Sequence, residues 1–256
     1  LETFYYSEFN ENLIKEEKRK LINQIKQRED DWYSYGSYQF KKSFWNTYPY
    51  GLPIAGEIDS VNTITKKDIE TYAKRLKLPK NIIISIEGNY NEKEILQEIK
   101  KYEHITNNKE TIIKLKPTKK HKKLLSQNQN HKFDSTSIFV GYNGVPISNT
   151  TEKIKLDLID AVLSGMSYPG GRLHTKLRDK GFVYLVHGYN FNGLQTGAFY
   201  IYALTNKESL KNVETLILSE IESLKSIPVT DDEFTEAIER IKFYYKERAS
   251  SIDNMV

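Results

Sequence analysis

Between Glu8 and Glu29 the apolar residues Phe9, Leu13, Ile14, Leu21, Ile22 and Ile25 recur at spacings near three, four and seven, which predicts a helix with one buried face. The aromatic run from Trp32 to Trp45 fits helix and loop equally, and Pro49 to Pro53 is turn chemistry. Thr65 stands three residues before Asp68, a capping-box spacing that opens a helix reaching about Leu76. Asn81 to Glu87 reads as a strand: Ile82, Ile83, Ile84 and Ile86 are stiff and β-branched, and Gly88-Asn89 ends the run. A helix over Glu92 to Tyr102 closes this half.

Apolar anchors then thin out from residue 105 to residue 131 among Asn, Lys, Gln and Thr, as in an interdomain connection. Order returns with a predicted strand over Ser137 to Asn143 and a helix over Glu152 to Leu163. Phe182 to Tyr189 and Ala198 to Leu204 read as hairpin partners. Two helices follow, one over Glu208 to Leu224 carrying Val213, Leu216, Ile217, Ile221 and Leu224, and one opening at the capping box Thr230-Asp-Asp-Glu233. The pattern implies an α+β fold of two α/β sandwich units, each a largely antiparallel sheet with helices packed on one face. The units fall at residues 1–104 and 132–256, with 105–131 as a Lys/Asn-rich linker.

Composition agrees with a chain that buries a core: 256 residues, 38% hydrophobic and 28% charged. No window holds eighteen apolar residues, so no membrane-spanning helix is predicted, and the glutamates of the first twenty residues do not resemble a signal peptide. A soluble chain is expected, in the cytoplasm or in a periplasmic or organellar compartment. The absence of cysteine excludes disulfides and thiolate metal sites. The net charge of +4 draws heavily on Lys114 to Lys123, a run without aromatic residues for base stacking, so a solvated linker is expected and nucleic acid is not. The paired carboxylates Asp157 and Asp160, Asp231 and Asp232, and Glu236 and Glu239 fall on helix starts or polar faces, without the contrasting environments that divide an acid from a base.

The most informative segment is Arg172 to Val186. A short basic helix is predicted to stop at Lys180-Gly181, where glycine supplies a left-handed cap, and a strand to begin with Phe182, Val183 and Tyr184. Gly170-Gly-Arg-Leu173 followed by Leu177-Arg-Asp-Lys-Gly-Phe-Val-Tyr184 resembles a signature in the second domain of the pitrilysin/insulinase (M16) zinc peptidases. Upstream, Arg28-Glu-Asp-Asp31, Pro49-Tyr-Gly-Leu-Pro53 with Gly56, Ile64-Thr-Lys-Lys-Asp-Ile69 and Asn81 to Asn89 are similar to that family's first domain, in the same order. The resemblance implies the latter part of one M16 domain and most of a second, truncated at its C-terminus.

Active members of that family carry a His-x-x-Glu-His helix that binds zinc and supplies a general base. The five histidines here, His104, His121, His131, His174 and His187, include no pair three or four residues apart, so no helix presents two of them to one metal. The family's further ligand is a glutamate on a later helix. Aligning that helix to residues 18–25 puts Glu17 on its first acid and Gln24 on the ligand, and an amide is a poor zinc ligand beside a carboxylate. No catalytic residue, metal site or cofactor is therefore assigned to this chain, and zinc is expected in a catalytic half or partner.

In relatives the residues matching Arg178 and Tyr184 hold the substrate backbone, and the resemblance implies substrate binding for both. A guanidinium offers fixed donors to peptide carbonyls, and a phenol donates to a carbonyl oxygen. The implied function is a non-catalytic M16 half or subunit that helps form a peptide-binding chamber. The implied partners are unfolded polypeptide and a catalytic half, or further copies in a homo-oligomer. Two alternatives stand beside it: a segment of an active zinc endopeptidase whose metal helix precedes Leu1, and a structural assembly subunit that handles no peptide.

Overall fold

The computed structural model describes residues 1–46, 48–78, 81–102, 118, 120–121, 126–166 and 168–250. Two compact units emerge, one of residues 1–27, 53–116 and 250–256, the other of residues 28–52 and 117–249. Most of the 105–131 stretch, much of the lysine run and the last six residues lie outside the described residues.

The first unit contains α1 (Glu2–Tyr5), most of α2 (Glu11–Arg28), α4 (Ile58–Thr63), α5 (Lys66–Leu76) and α6 (Glu92–Lys100). Short polar side chains start three of these helices by satisfying amides that have no partner in the first turn. The Asn10 side chain accepts from Asn12 N at 2.8 Å, Thr65 and Asp68 form the expected reciprocal box, and Asn91 accepts from Lys93 N. Lys18 Nζ donates to the Asn62 carbonyl at 2.9 Å and so ties α2 to α4. Lys77 Nζ donates to the Tyr5 carbonyl at 2.7 Å, and the Tyr5 and Tyr102 rings stack at 5.1 Å.

One prediction fails in this unit. Ile82 to Glu87 forms no strand, and Ile83 is 96% exposed while Ile84 and Ile86 are also exposed. β-branched residues favour a strand only where a neighbouring strand takes their amides and a packed layer takes their side chains. Among the described residues no strand pairs with this one.

The second unit holds α3 (Trp32–Trp45), the sheet strands β1 (Thr136–Asn143), β2 (Leu185–Phe191) and β3 (Ala198–Thr205), and the helices α7 (Thr150–Ser164), α9 (Leu210–Ser226) and α10 (Asp231–Ala249). The strands run in the order β1-β3-β2, antiparallel throughout, with Phe139 opposite Tyr202 and His187 opposite the same Tyr202. Alternation along β3 divides two cores. Phe199, Ile201 and Ala203 pack with Val213 and Ile217 of α9, Leu163 of α7 and Val186 of β2. Ala198 and Tyr200 face the other way, into an aromatic layer with Phe40, Phe44 and Trp45 of α3. The mixed helix and antiparallel-sheet class is thus present, with α7 and α9 on one face and α3 covering the opposite one. Residues 28–52, placed with the earlier unit on sequence order, pack in the later one.

Candidate functional site

The corner after α7 is built from a short turn of α-helix, α8 (Gly171–Leu173), that widens into a π-helical turn over His174–Arg178. Single π turns are rare and concentrate at functional sites. Leu173 and Leu177 point inward and are fully buried with Val186, Ile201 and Val213. On the outer side Arg172 makes a bidentate pair with Glu233, Nε to Oε1 at 2.6 Å and Nη2 to Oε2 at 2.8 Å, and Nη1 donates to Ser223 Oγ. That guanidinium, helped by the Thr230 amide, holds the Glu233 carboxyl down at about 2. Lys176 donates to Glu220 of α9, so both remaining helices grip the turn.

Gly181 ends the turn at φ +73°, the left-handed conformation that the sequence required of a glycine there. Its amide donates to the Arg178 carbonyl, and the Phe182 amide donates to the Leu177 carbonyl, both at 2.9 Å. Thr205 Oγ1 donates to the Phe182 carbonyl at 2.6 Å and the Tyr184 amide to the Leu204 carbonyl at 2.8 Å, which joins the corner to β3. The strand begins at Leu185, later than the predicted Phe182, because these two contacts precede the regular ladder. Arg178 and Tyr184 are both exposed on this corner, Tyr184 at 64%. A rigid base thus presents a guanidinium and a phenol to solvent.

On this turn and on β2 lie two histidines that no motif singled out. His174 is 5% exposed, and its ring stands 5.3 Å from that of His187 at 61°. The His187 ring lies 5.8 Å from that of Tyr202. His174 bonds to the Val186 backbone, while His174 Nε2 and His187 Nδ1 are buried without a hydrogen-bond partner. Burial, with Arg178 in support, depresses both imidazole pKa values. Burial also pushes the Tyr202 phenol up to about 12.

A second buried polar group sits on α7. Asp157 and Asp160, expected on a polar face, are 4% and 5% exposed. Asp157 is fully partnered, accepting from Lys153 Nζ at 2.8 Å, Tyr245 Oη at 2.7 Å and Asn190 Nδ2 at 2.8 Å. Asp160 Oδ1 accepts from Ser164 Oγ at 2.5 Å, and that hydroxyl accepts from the Gly188 amide of β2 at 2.8 Å. Residue 188 must be glycine, since a Cβ there would stand 2.2 Å from Asp160 Oδ1. Burial raises the Asp160 carboxyl to about 6.

Gln24 and Glu17 lie on the exposed surface of α2, in the first unit, where Glu17 accepts from Lys20 Nζ at 2.6 Å. Among the described residues no three His, Cys, Asp or Glu side chains converge as a metal site would require. No chemical step is routed through a metal ion here.

Residues 63–241 match the sequence profile described as the Peptidase M16 inactive domain. A curated Bacillus subtilis protein named an uncharacterized zinc protease is 24% identical over 241 residues, covering 93% of this chain and 57% of its own length. Among solved structures, a protease from Helicobacter pylori superposes with a TM-score of 0.84 at 18% identity, over 97% of this chain and 61% of that one. A peptidase M16 inactive domain from Pseudomonas fluorescens superposes at 0.76 and 18% identity, covering 93% and 57% of the two chains. The chain spans somewhat over half the length of the relatives it matches. With the matched profile extending over most of its residues, this chain belongs to the M16 peptidase family.

Proposed function

We propose that this chain is the non-catalytic, peptide-holding half of an M16-type peptidase, and that hydrolysis belongs to a catalytic half carrying the zinc, on the same or another polypeptide. The observation that carries this reading is the exposed pair Arg178 and Tyr184 on a corner fixed by Leu173, Leu177 and the Arg172–Glu233 pair. The guanidinium donates to main-chain carbonyls of an extended peptide and the phenol donates to another, so the grip is independent of side-chain sequence. Both side chains are exposed, so Arg178→Ala with Tyr184→Phe is expected to leave unfolding stability within about 0.5 kcal/mol. The same pair of substitutions is expected to weaken binding of a fluorescein-labelled unstructured peptide by roughly tenfold or more, read by anisotropy. Unchanged binding would favour the structural-subunit alternative.

The exposed isoleucines of 82–86 favour completion of the first unit by further polypeptide. Ile83→Lys is accordingly expected to change the stability of this chain alone by less than about 0.5 kcal/mol, measured by urea unfolding. A loss of more than about 2 kcal/mol would mean that the segment is already packed.

A further inference from the structure

The turn that carries Arg178 holds one residue more than an α-helix needs. The Asp179 amide donates to the His174 carbonyl at 3.0 Å, five residues back, where α-helical bonding would use the Thr175 carbonyl. Such a turn is rare and persists only where the surrounding structure holds it. On the inner side Leu173 and Leu177 are fully buried in the core. On the outer side Lys176, the middle residue of the turn, donates to Oε1 of Glu220 on α9. Glu220 is 5% exposed and its Oε2 is buried with no hydrogen-bond partner, so Lys176 is the hydrogen-bonded counterion of this carboxylate. The carboxylate stands at a fixed place, because Val213 and Ile217 of the same helix are fully buried against the sheet.

We propose that Lys176 and Glu220 are positioning residues for Arg178: their ion pair keeps the π turn open, and without it the Asp179 amide moves to the Thr175 carbonyl. That step takes one residue out of the turn and carries Arg178 about 100° around the helix axis, away from the peptide. The proposal rests on the reading of Arg178 as a peptide-contacting group. Glu220 acts through the turn alone, since it is too buried to touch the peptide itself.

The test uses the whole chain and two readouts at neutral pH: affinity for the labelled unstructured peptide, and the NMR coupling across the hydrogen bond from the Asp179 amide nitrogen to its carbonyl acceptor. In the wild type that coupling is expected to the His174 carbonyl. Lys176→Met with Glu220→Met replaces the pair by two apolar chains of similar length, a change that is often neutral for stability. This double variant is expected to keep the wild-type urea midpoint, to show the coupling to the Thr175 carbonyl instead, and to bind the peptide roughly tenfold more weakly. A purely structural pair would leave acceptor and affinity unchanged in a variant of wild-type stability, and that result overturns the proposal. Should the double variant fail to fold, Lys176→Gln at this half-exposed position is read in the same way. A wild-type chain that binds no peptide defeats the peptide-holding reading instead, while the acceptor found in the variants still decides whether the pair sets the turn.

Discussion

Leu177→Ala is expected to reduce the free energy of unfolding by about 2–5 kcal/mol, because a fully buried leucine loses its transfer free energy and leaves a cavity that the rigid surroundings refill only in part. Its side chain sits among Leu173, Val186 and Ile201, where the π turn meets the sheet, and relaxation there would require the turn to move. The Phe182 amide that caps the turn bonds to the carbonyl of this residue, so the same cavity loosens the base of Arg178. Chemical denaturation reads the effect as a shift in midpoint with little change in slope. A cost below about 1 kcal/mol would mean that the corner is not anchored through this residue.

The second large effect concerns Asp160. Its carboxyl is raised from the usual 3.8 to about 6 by burial, so the folded chain binds a proton that the unfolded chain releases between those values. The sign follows: this group's contribution is fully favourable below about pH 4 and is lost as pH rises through about 6. The difference corresponds to about 3 kcal/mol. Asp160→Asn keeps an oxygen that accepts from Ser164 and has no charge to bury. The variant is therefore expected to match the wild type near pH 4 and to exceed it by up to about 3 kcal/mol at pH 7, in parallel urea titrations. A variant less stable than the wild type at pH 7 would show that the ionised carboxylate is a required partner of Ser164.

The starts of α5 and α10 were legible in the sequence because local chemistry determines them. Thr65 with Asp68 and Thr230 with Glu233 form capping boxes whose bonds lie within three residues of each other. Gly181 was legible for the same reason, since a positive φ after a helical turn selects glycine. Long-range partners were not. Nothing in the aromatic run from Trp32 to Trp45 states that it covers the Tyr200 face of a sheet formed nearly a hundred residues or more later in the chain. Ile82 to Ile86 carries strong strand composition, yet a strand exists only through its neighbour.

The candidate site divides the same way. Arg178 and Tyr184 were found through their resemblance to a family motif, and the structure places both on one exposed corner. His174 and His187 meet only because the turn folds back on β2, so no spacing rule reveals them. Asp160 did leave a trace: Ala161-Val-Leu163 follows it and Ser164 lies one turn on, a polar pair embedded in an apolar stripe, which is the pattern of a buried hydrogen bond.

The central claim is that this chain holds peptide at the Arg178–Tyr184 corner and does not itself cut it. The most direct measurement is the NMR spectrum of protein labelled in the Arg178 guanidinium and the Tyr184 ring, titrated with an unstructured peptide in the presence of a chelator, with the peptide's integrity followed by mass spectrometry after added zinc. The account predicts that both labels shift with one saturation curve and that the peptide stays intact. Chelator-sensitive cleavage by this chain alone, or saturable peptide binding that leaves both labels unmoved, would contradict it.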